Sequence, residues 1–591
     1  MTKHTRFGAI AILVGLGLLL TACDSIREMP LIRSEKGPEY RIVECEPGVP
    51  TKLLRVSLLH PPLTLNPTLA CDRVSALVSS QLTATLYRYE PVANEFQPWL
   101  ATGYDRDVDS KVFTIHLRRR VTFSDGSPFS ADDVLTTINY ILNPDVKTAL
   151  RAYMDYGGQR LAFAKLDDET IQCTAAKALY AIEPILARIP VLPAGAIQAA
   201  VSSNRLERLY SIEANPAELA SIGPFVIQSY SPEEKRLILV RNPRYWVTDS
   251  VGRNLPYLDQ VVFSFSGTSV DQSVKFRTGE SDIIDYIDPA DAARLENVRG
   301  LQMYDTGPSC ATYVAWFNQN MKTDPKTKEN YIPQFRLRWF SDLKFRQAIS
   351  SLFDRGEIVS KVLQGNAIPG ASLISPLEQD WFVALTADSY SLPAARQKLS
   401  EAGFVMNTAV TPNALYGPNK VPVQITLSVL SGDAMMEKIA LQAEGRLNDV
   451  GIKATMVSLP YDLFYQKVYS TYDYDMALML LEQPEHPYFL KELLASNSSG
   501  HLWYPEEVAP ASETEKAMDG LLDDMYGVPD WATRQSAAQK LAQRLEEGKF
   551  LIPVVKPHGL FGAKGKIKNL RMNFRCTSLL WNLEELYILE E

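Results

Sequence analysis

At 591 residues the chain is too long for one hydrophobic core, so two or three domains are expected. Hydrophobic residues make up 46% and charged residues 22%, the composition of globular protein rather than of a disordered or multiply membrane-spanning chain. A formal net charge of −9 without basic clusters lacks the positive footprint that nucleic-acid binding requires, and no nucleic-acid partner is expected.

Lys3 and Arg6 lead into an apolar run over residues 7–20, which ends in Leu20-Thr21-Ala22-Cys23. The basic start, short apolar middle and small-residue exit predict an export signal over residues 1–22. The run is shorter than the roughly 20 residues that cross a bilayer core. Its Leu-Thr-Ala-Cys ending resembles the lipobox of bacterial lipoproteins. That implies acylation of Cys23 and a membrane anchor of lipid chains, each buried CH₂ worth about 0.8 kcal/mol. Asp24 resembles an inner-membrane retention signal, so a periplasmic, cell-envelope protein held at the inner membrane is expected. Residues 23–40, with Pro30, Gly37 and Pro38, read as a lipidated tether.

Beyond the tether, strand and helix signals alternate. Residues 53–59 read as a strand and 72–85 have helical spacing. Asp105-Arg106-Asp107-Val108-Asp109 begins like a calcium loop. Ser110 then stands where glycine is needed and His116 where the bidentate glutamate belongs, so a strand-to-strand turn is predicted. Residues 112–118 alternate as a half-buried strand, and Asp125-Gly126 marks a tight turn. Ser130-Ala131-Asp132-Asp133 starts a capped helix. Residues 225–230 and 237–240 form a hairpin around the polar stretch 232–235. Near the other end, a strand at 423–427, a helix through Leu447 and a strand after Gly451 make a βαβ step. Residues 322–331 read as an exposed loop. The pattern is mixed α/β with more than one sheet.

Five cysteines follow Cys23, at Cys45, Cys71, Cys173, Cys310 and Cys576, without a Cys-x-x-Cys pair. An odd number leaves at least one thiol unpaired within a monomer, and sequence does not fix which residues pair. His60, His116, His486, His501 and His558 are too scattered for metal-ligand spacing, and no metal or other cofactor is expected. There is no Gly-x-Ser-x-Gly elbow, His-Glu-x-x-His or Walker loop. An enzyme is therefore not expected, and no catalytic residue is assigned.

The densest run of recognisable residues lies between Leu82 and Pro144. It holds Leu86-Tyr87-Arg88-Tyr89-Glu90-Pro91, Trp99-Leu100-Ala101 and Phe113-Thr114-Ile115-His116-Leu117-Arg118. It continues through Val121-Thr122-Phe123-Ser124-Asp125-Gly126-Ser127-Pro128-Phe129-Ser130-Ala131-Asp132-Asp133-Val134. Gly223-Pro224-Phe225, Arg241-Asn242-Pro243-Arg244-Tyr245-Trp246, Leu255-Pro256-Tyr257-Leu258-Asp259 and Leu399-Ser400-Glu401-Ala402-Gly403-Phe404 follow at intervals. Together these resemble the bacterial extracellular solute-binding proteins of family 5, the oligopeptide- and dipeptide-binding receptors of ABC importers. Most of the quoted residues serve turns and caps; Arg346 and Asp354 are expected on one helix face as anchors.

The resemblance implies a periplasmic-binding-protein-like α/β fold of two lobes with an additional domain. The first lobe would be discontinuous, over 41–80, 216–305 and 556–591. The extra domain would occupy 81–215 and the second lobe 306–555. Hinge crossings are expected at Gly307-Pro308 and Ile552-Pro553. The implied partners are a peptide or other small solute, an ABC permease with its ATPase, and a membrane through the lipid anchor; the protein itself is expected to be a monomer. Relatives commonly pair the peptide α-ammonium with an aspartate in the loop after the strand matched by residues 474–480. This chain has Leu481-Glu482-Gln483-Pro484-Glu485-His486 there. Glu482 and Glu485 are candidate replacements, with Gln483 and His486 as candidate contacts; solvated loop residues are the other reading. Tyr313 and Trp316 are candidates for the cleft wall, with core packing as the alternative. The altered loop keeps a non-peptide solute open, such as an oligosaccharide, metal chelate or haem. A structural or sensory lipoprotein on the same fold also stays open.

Overall fold

The structure is a computed structural model that describes residues 41–589 apart from 410, 411, 483–485 and the side chain of residue 290. The export signal, Cys23 and the whole of the tether lie outside the described residues, as do Gln483 and Glu485. No described helix is long and apolar enough to cross a membrane.

In chain order the first elements are β1 (Thr51–Leu58), α1 (Arg73–Leu82), β2 (Ala101–Arg106), β3 (Val112–Leu117), α2 (Ala131–Leu142), β4 (Ala162–Asp167) and β5 (Thr170–Thr174). Next come β6 (Phe225–Ser231), β7 (Arg236–Arg241), β8 (Leu258–Phe265), β9 (Ile283–Ile284) and β10 (Leu301–Pro308). The remainder supplies β11 (Thr312–Phe317), α3 (Leu343–Ser350), β12 (Gln424–Leu430), α4 (Ala434–Asp449), β13 (Lys453–Leu459) and α5 (Tyr461–Gln466). After these follow β14 (Met476–Leu481), α6 (Glu513–Gly527) and β15 (Ile552–Lys564).

One long sheet runs in the order β6-β7-β8-β1-β9-β15-β11-β14-β12-β13. Its middle is set by apolar runs: every residue of β11 is buried, and so is all of β14 except Leu480. Strands covered on both faces read as continuous hydrophobic runs rather than alternations. Strand β15 belongs to both halves. Residues 560–564 pair with β9 and β10, whereas Ile552, Pro553 and Val555 pair with β11. The parallel β12–β13 pair flanks α4, the βαβ step legible in the sequence.

This register corrects one hinge position. Pro308 sits opposite His558 at the end of β10, as a crossing should. Ile552 and Pro553 are instead paired inside the second half, and the crossing in β15 falls near Lys556. There the buried Lys556 ammonium donates to Thr312 Oγ1 at 2.7 Å and to the Leu373 carbonyl at 2.8 Å. Burial lowers it to about 8.

Residues 81–215 contain a separate antiparallel sheet, β2-β3-β5-β4. Asp107 Oδ1 accepts the amides of Lys111 and Val112, so the calcium-like start is a turn whose carboxylate is occupied by backbone. Gly126 takes φ +91°, open to glycine at little cost. Ser130 and Asp133 close a capping box on α2, and Asp133 Oδ1 also accepts the Ala194 amide at 2.8 Å.

Arg346 and Asp354 do not share a helix face. Arg346 lies in α3 and donates to the carbonyls of Gly548 and Phe340; Asp354 caps the next short helix through the Glu357 amide. Of the cysteines, Cys45, Cys71 and Cys173 are free thiols. Cys310 and Cys576 donate to the Phe574 carbonyl and Asn573 Oδ1.

Candidate functional site

A cavity of about 1110 Å³ opens between the two halves of the long sheet and the 81–215 segment. A space of this size suits a small-molecule or short-chain ligand. Its chemistry is densest where α1 faces the end of β14. Asp72 caps α1 by accepting the Ser75 amide at 2.9 Å, which fixes Arg73 at the first helical position. Arg73 Nη2 donates to Asp285 Oδ2 at 2.7 Å and to the Thr577 carbonyl at 2.8 Å. Its Nε stands 3.3 Å from Glu482 Oε1. Asp285 is further held by Ser578 Oγ and the Leu579 amide, both at 2.7 Å.

Carboxyl groups outnumber this one guanidinium. Burial pushes Glu482 up to about 7 against the pull of Arg73, with Asp285 and Asp72 adding repulsion. Burial likewise pushes Asp433 up to about 6, although its side chain caps α4 at the Met436 amide. Asp72 and Asp285 are raised by burial too. Elsewhere on the lining, Arg88 and Arg188 are taken by Glu584 and Glu492. This end of the cavity therefore favours a ligand with a cationic group, whose arrival would keep the carboxylates ionised.

An aromatic face adjoins the acids. Tyr461, Tyr465 and Tyr469 recur every four residues, which stacks them along one side of α5 and the π-helical turn Lys467–Thr471 that continues it. Tyr465 and Tyr469 are parallel at 5.6 Å. Tyr461 stacks on His60 at 4.2 Å and donates to Asp72 Oδ1 at 2.7 Å. Burial holds His60 down to about 4, so it is a neutral ring. All four rings line the cavity.

Of the residues singled out by sequence, Glu482 is in this cavity, opposite Arg73. His486 is not: it is 4% exposed, accepts the Tyr488 amide at Nδ1 and stacks on the Tyr488 ring. Tyr89, Phe96 and Trp381 meet it edge-on, and burial lowers it to about 3. Such a ring is packing between the 81–215 segment and the second half. Tyr313 and Trp316 are fully buried in β11, and neither lines the cavity. Trp316 Nε1 donates to the Tyr474 hydroxyl, whereas Tyr313 stands behind the cavity residue Tyr286. Their strand is central to the sheet, so both of its faces are covered. Arg73, Asp72, Asp285 and Asp433 gave no sequence signal, since they meet only through the fold. The four-residue spacing of the tyrosines was a readable one.

Outside this cavity, one described cluster has metal-ligating atoms close together: His501 with Glu507 and Glu515.

The model for bacterial extracellular solute-binding proteins, family 5 Middle, matches residues 95–500. The periplasmic oligopeptide-binding protein OppA of Salmonella typhimurium is 22% identical over 468 residues, covering 76% of each chain. The oligopeptide-binding protein AppA of Bacillus subtilis, solved with a nonapeptide, superposes with a TM-score of 0.75 at 18% identity, covering 92% of this chain and all of that one. MelB of Agrobacterium fabrum, solved with stachyose, gives a TM-score of 0.79 at 21% identity over 92% of this chain and 85% of that one. These likenesses show the two-lobed α/β fold of periplasmic binding proteins.

Proposed function

The chain belongs to the bacterial extracellular solute-binding proteins of family 5, and we propose that it captures peptides between its lobes for an ABC importer. Members of the family bind solutes and are not enzymes. The observation that carries the peptide reading is Glu482 inside the inter-lobe cavity, at the position where an ammonium partner was expected. In this reading the peptide α-ammonium takes Glu482 from Arg73, while Arg73 stays held by Asp285 and the Thr577 carbonyl. Strand-like hydrogen bonds along the peptide backbone and water-filled side-chain space complete the grip. Closure of the lobes follows because the ligand contacts both at once. The membrane permease then reads the closed shape.

The domain division at 41–80 with 216–305 and 556–591, 81–215 and 306–555 is part of the same proposal. So are export through residues 1–22, acylation at Cys23, the inner-membrane location and the monomeric state. Cys23→Ser protein should take up no labelled palmitate; persistent labelling would refute acylation there.

Native mass spectrometry of protein purified without refolding tests the cargo, and a heterogeneous set of short peptides is expected. Glu482→Gln should weaken peptide binding in calorimetry at least tenfold, about 1.4 kcal/mol. Unchanged affinity would remove Glu482 from the site. A second reading rests on the aromatic face: the stacked rings of His60, Tyr461, Tyr465 and Tyr469 would suit the apolar faces of an oligosaccharide. One bound sugar in the mass spectrum would favour it.

A further inference from the structure

The cluster in the second lobe is built from three side chains that the cargo site does not use. His501 follows the short helix Lys491–Leu494, and Glu507 stands ahead of α6, which carries Glu515 in its first turn. All three are sealed from solvent, with side-chain exposures of 0%, 1% and 3%. His501 Nε2 stands 3.5 Å from Oε1 of Glu507 and 3.7 Å from Oε1 of Glu515. Those separations exceed the 2.7–3.2 Å of an N–H···O hydrogen bond. Neither ring nitrogen of His501 nor Oε1 of Glu507 has a hydrogen-bond partner in the protein.

Buried polar atoms are ordinarily partnered, and here several unpartnered ones are gathered at one place. The remaining atoms of the cluster are firmly held. Glu515 Oε1 accepts from Trp503 Nε1 at 2.8 Å, and its Oε2 accepts from Ser512 Oγ at 2.7 Å. Glu507 Oε2 accepts the Ala511 amide at 2.8 Å, and the His501 ring packs 3.8 Å from that of Trp503. The two carboxylates are thus held by contacts from outside the cluster.

One imidazole nitrogen and two carboxylate oxygens, all within 4.8 Å of one another, form a donor set for a first-row divalent cation. With bonds of about 2.1 Å, corners of a tetrahedron stand about 3.4 Å apart, close to both distances here. We propose that His501, Glu507 and Glu515 bind a structural divalent transition-metal cation, with zinc as the best-fitting ion and a water in the fourth position. Charge supports the assignment. Two carboxylates, a neutral imidazole and a dication sum to zero, so the cation leaves no net charge buried at this point.

The position gives the cation a role. Ser499 and Gly500, just before His501, line the cargo cavity. The carbonyls of Leu502 and Trp503 accept from the Tyr474 hydroxyl and the Gln319 amide, beside the central strands. A cation at this point pins a stretch of cavity wall to the second lobe's sheet without touching cargo. The site does not depend on which solute the receptor carries.

Full-length protein purified without chelator should hold close to one equivalent of zinc by elemental mass spectrometry. After chelator treatment, zinc alone should restore that equivalent and raise the melting temperature. Glu507→Gln keeps the side-chain shape, and it should lose the stoichiometric zinc and the temperature rise together. Equal zinc uptake by Glu507→Gln would overturn the proposal, as would wild-type protein that neither takes up zinc nor gains stability. If Glu507→Gln fails to fold, ¹⁵N spectra of wild-type His501 decide. A zinc-dependent shift of Nε2 supports the site, and an imidazolium indifferent to zinc refutes it. Peptide calorimetry runs separately, so failure of the cargo reading would leave this outcome intact.

Discussion

His486 shows how a single buried ring sets a pH response. Its folded-state value of about 3 lies below the ordinary 6.5, because burial among Tyr89, Phe96, Trp381 and Tyr488 disfavours the charged form. Arg575 nearby pushes the same way. Between those two values the unfolded chain binds the proton and the folded chain does not. Stability is therefore fully present above pH 6.5 and lost as pH falls through the window toward 3. The slope is about 1.4 kcal/mol per pH unit, so roughly 2 kcal/mol should be gone by pH 5. His486→Asn keeps an acceptor for the Tyr488 amide but cannot titrate. The difference in unfolding free energy between wild type and variant, measured in urea at pH 7.5 and pH 5, should narrow by that amount. A constant difference would mean the ring is hydrated in solution.

At the scale of elements, local chemistry was written in the sequence and tertiary meeting points were not. Ser130 with Asp133 announced α2, and the structure closes both halves of that capping box. Ser130→Ala should cost about 1 kcal/mol in urea unfolding, with cargo affinity unchanged because Ser130 does not line the cavity. No loss of stability would mean that the Asp133 contacts to the Ser130 and Ala194 amides suffice alone. The 225–241 hairpin and the β12–α4–β13 step were legible for the same reason, as their periodicity and turn residues act over a few positions. The helix after Asp72 ended sooner than its spacing suggested, because Thr83 turns extended and opens the path to the 81–215 segment. The apolar run of β11 left two readings open. Tyr313 and Trp316 were open to either a cleft wall or core packing, and a strand buried on both faces holds them in the core. Arg73, Asp285, Asp433 and Glu482 come from four distant segments, and the fold alone brings them to one cavity. His501, Glu507 and Glu515 evaded spacing rules likewise, two of them lying in irregular backbone.

At the scale of the molecule, the two lobes of the proposed division touch across the cavity. His60 stacks on Tyr461, Asp72 accepts from Tyr461, and Arg73 faces Glu482. Under the proposed capture mechanism these contacts are expected to be weak in sum, since a receptor that closed fully when empty would not report its cargo. A micromolar ligand contributes about −8 kcal/mol, so contacts of about 1 kcal/mol bias closure without deciding it. Tyr461→Phe tests that balance, because it removes the cross-cleft hydrogen bond and leaves the stacking on His60. Asp72 still accepts the Ser75 amide, so α1 should keep its cap. Losing about 1 kcal/mol of closed-state stabilisation lowers the closed population and raises the apparent dissociation constant by up to about fivefold. Calorimetry should show that weakening. Small-angle scattering of the ligand-free variant should show a larger radius of gyration than wild type, converging again at saturating cargo. If affinity and radius both stay at wild-type values, Tyr461 is a wall of the cavity and no part of what holds the lobes together.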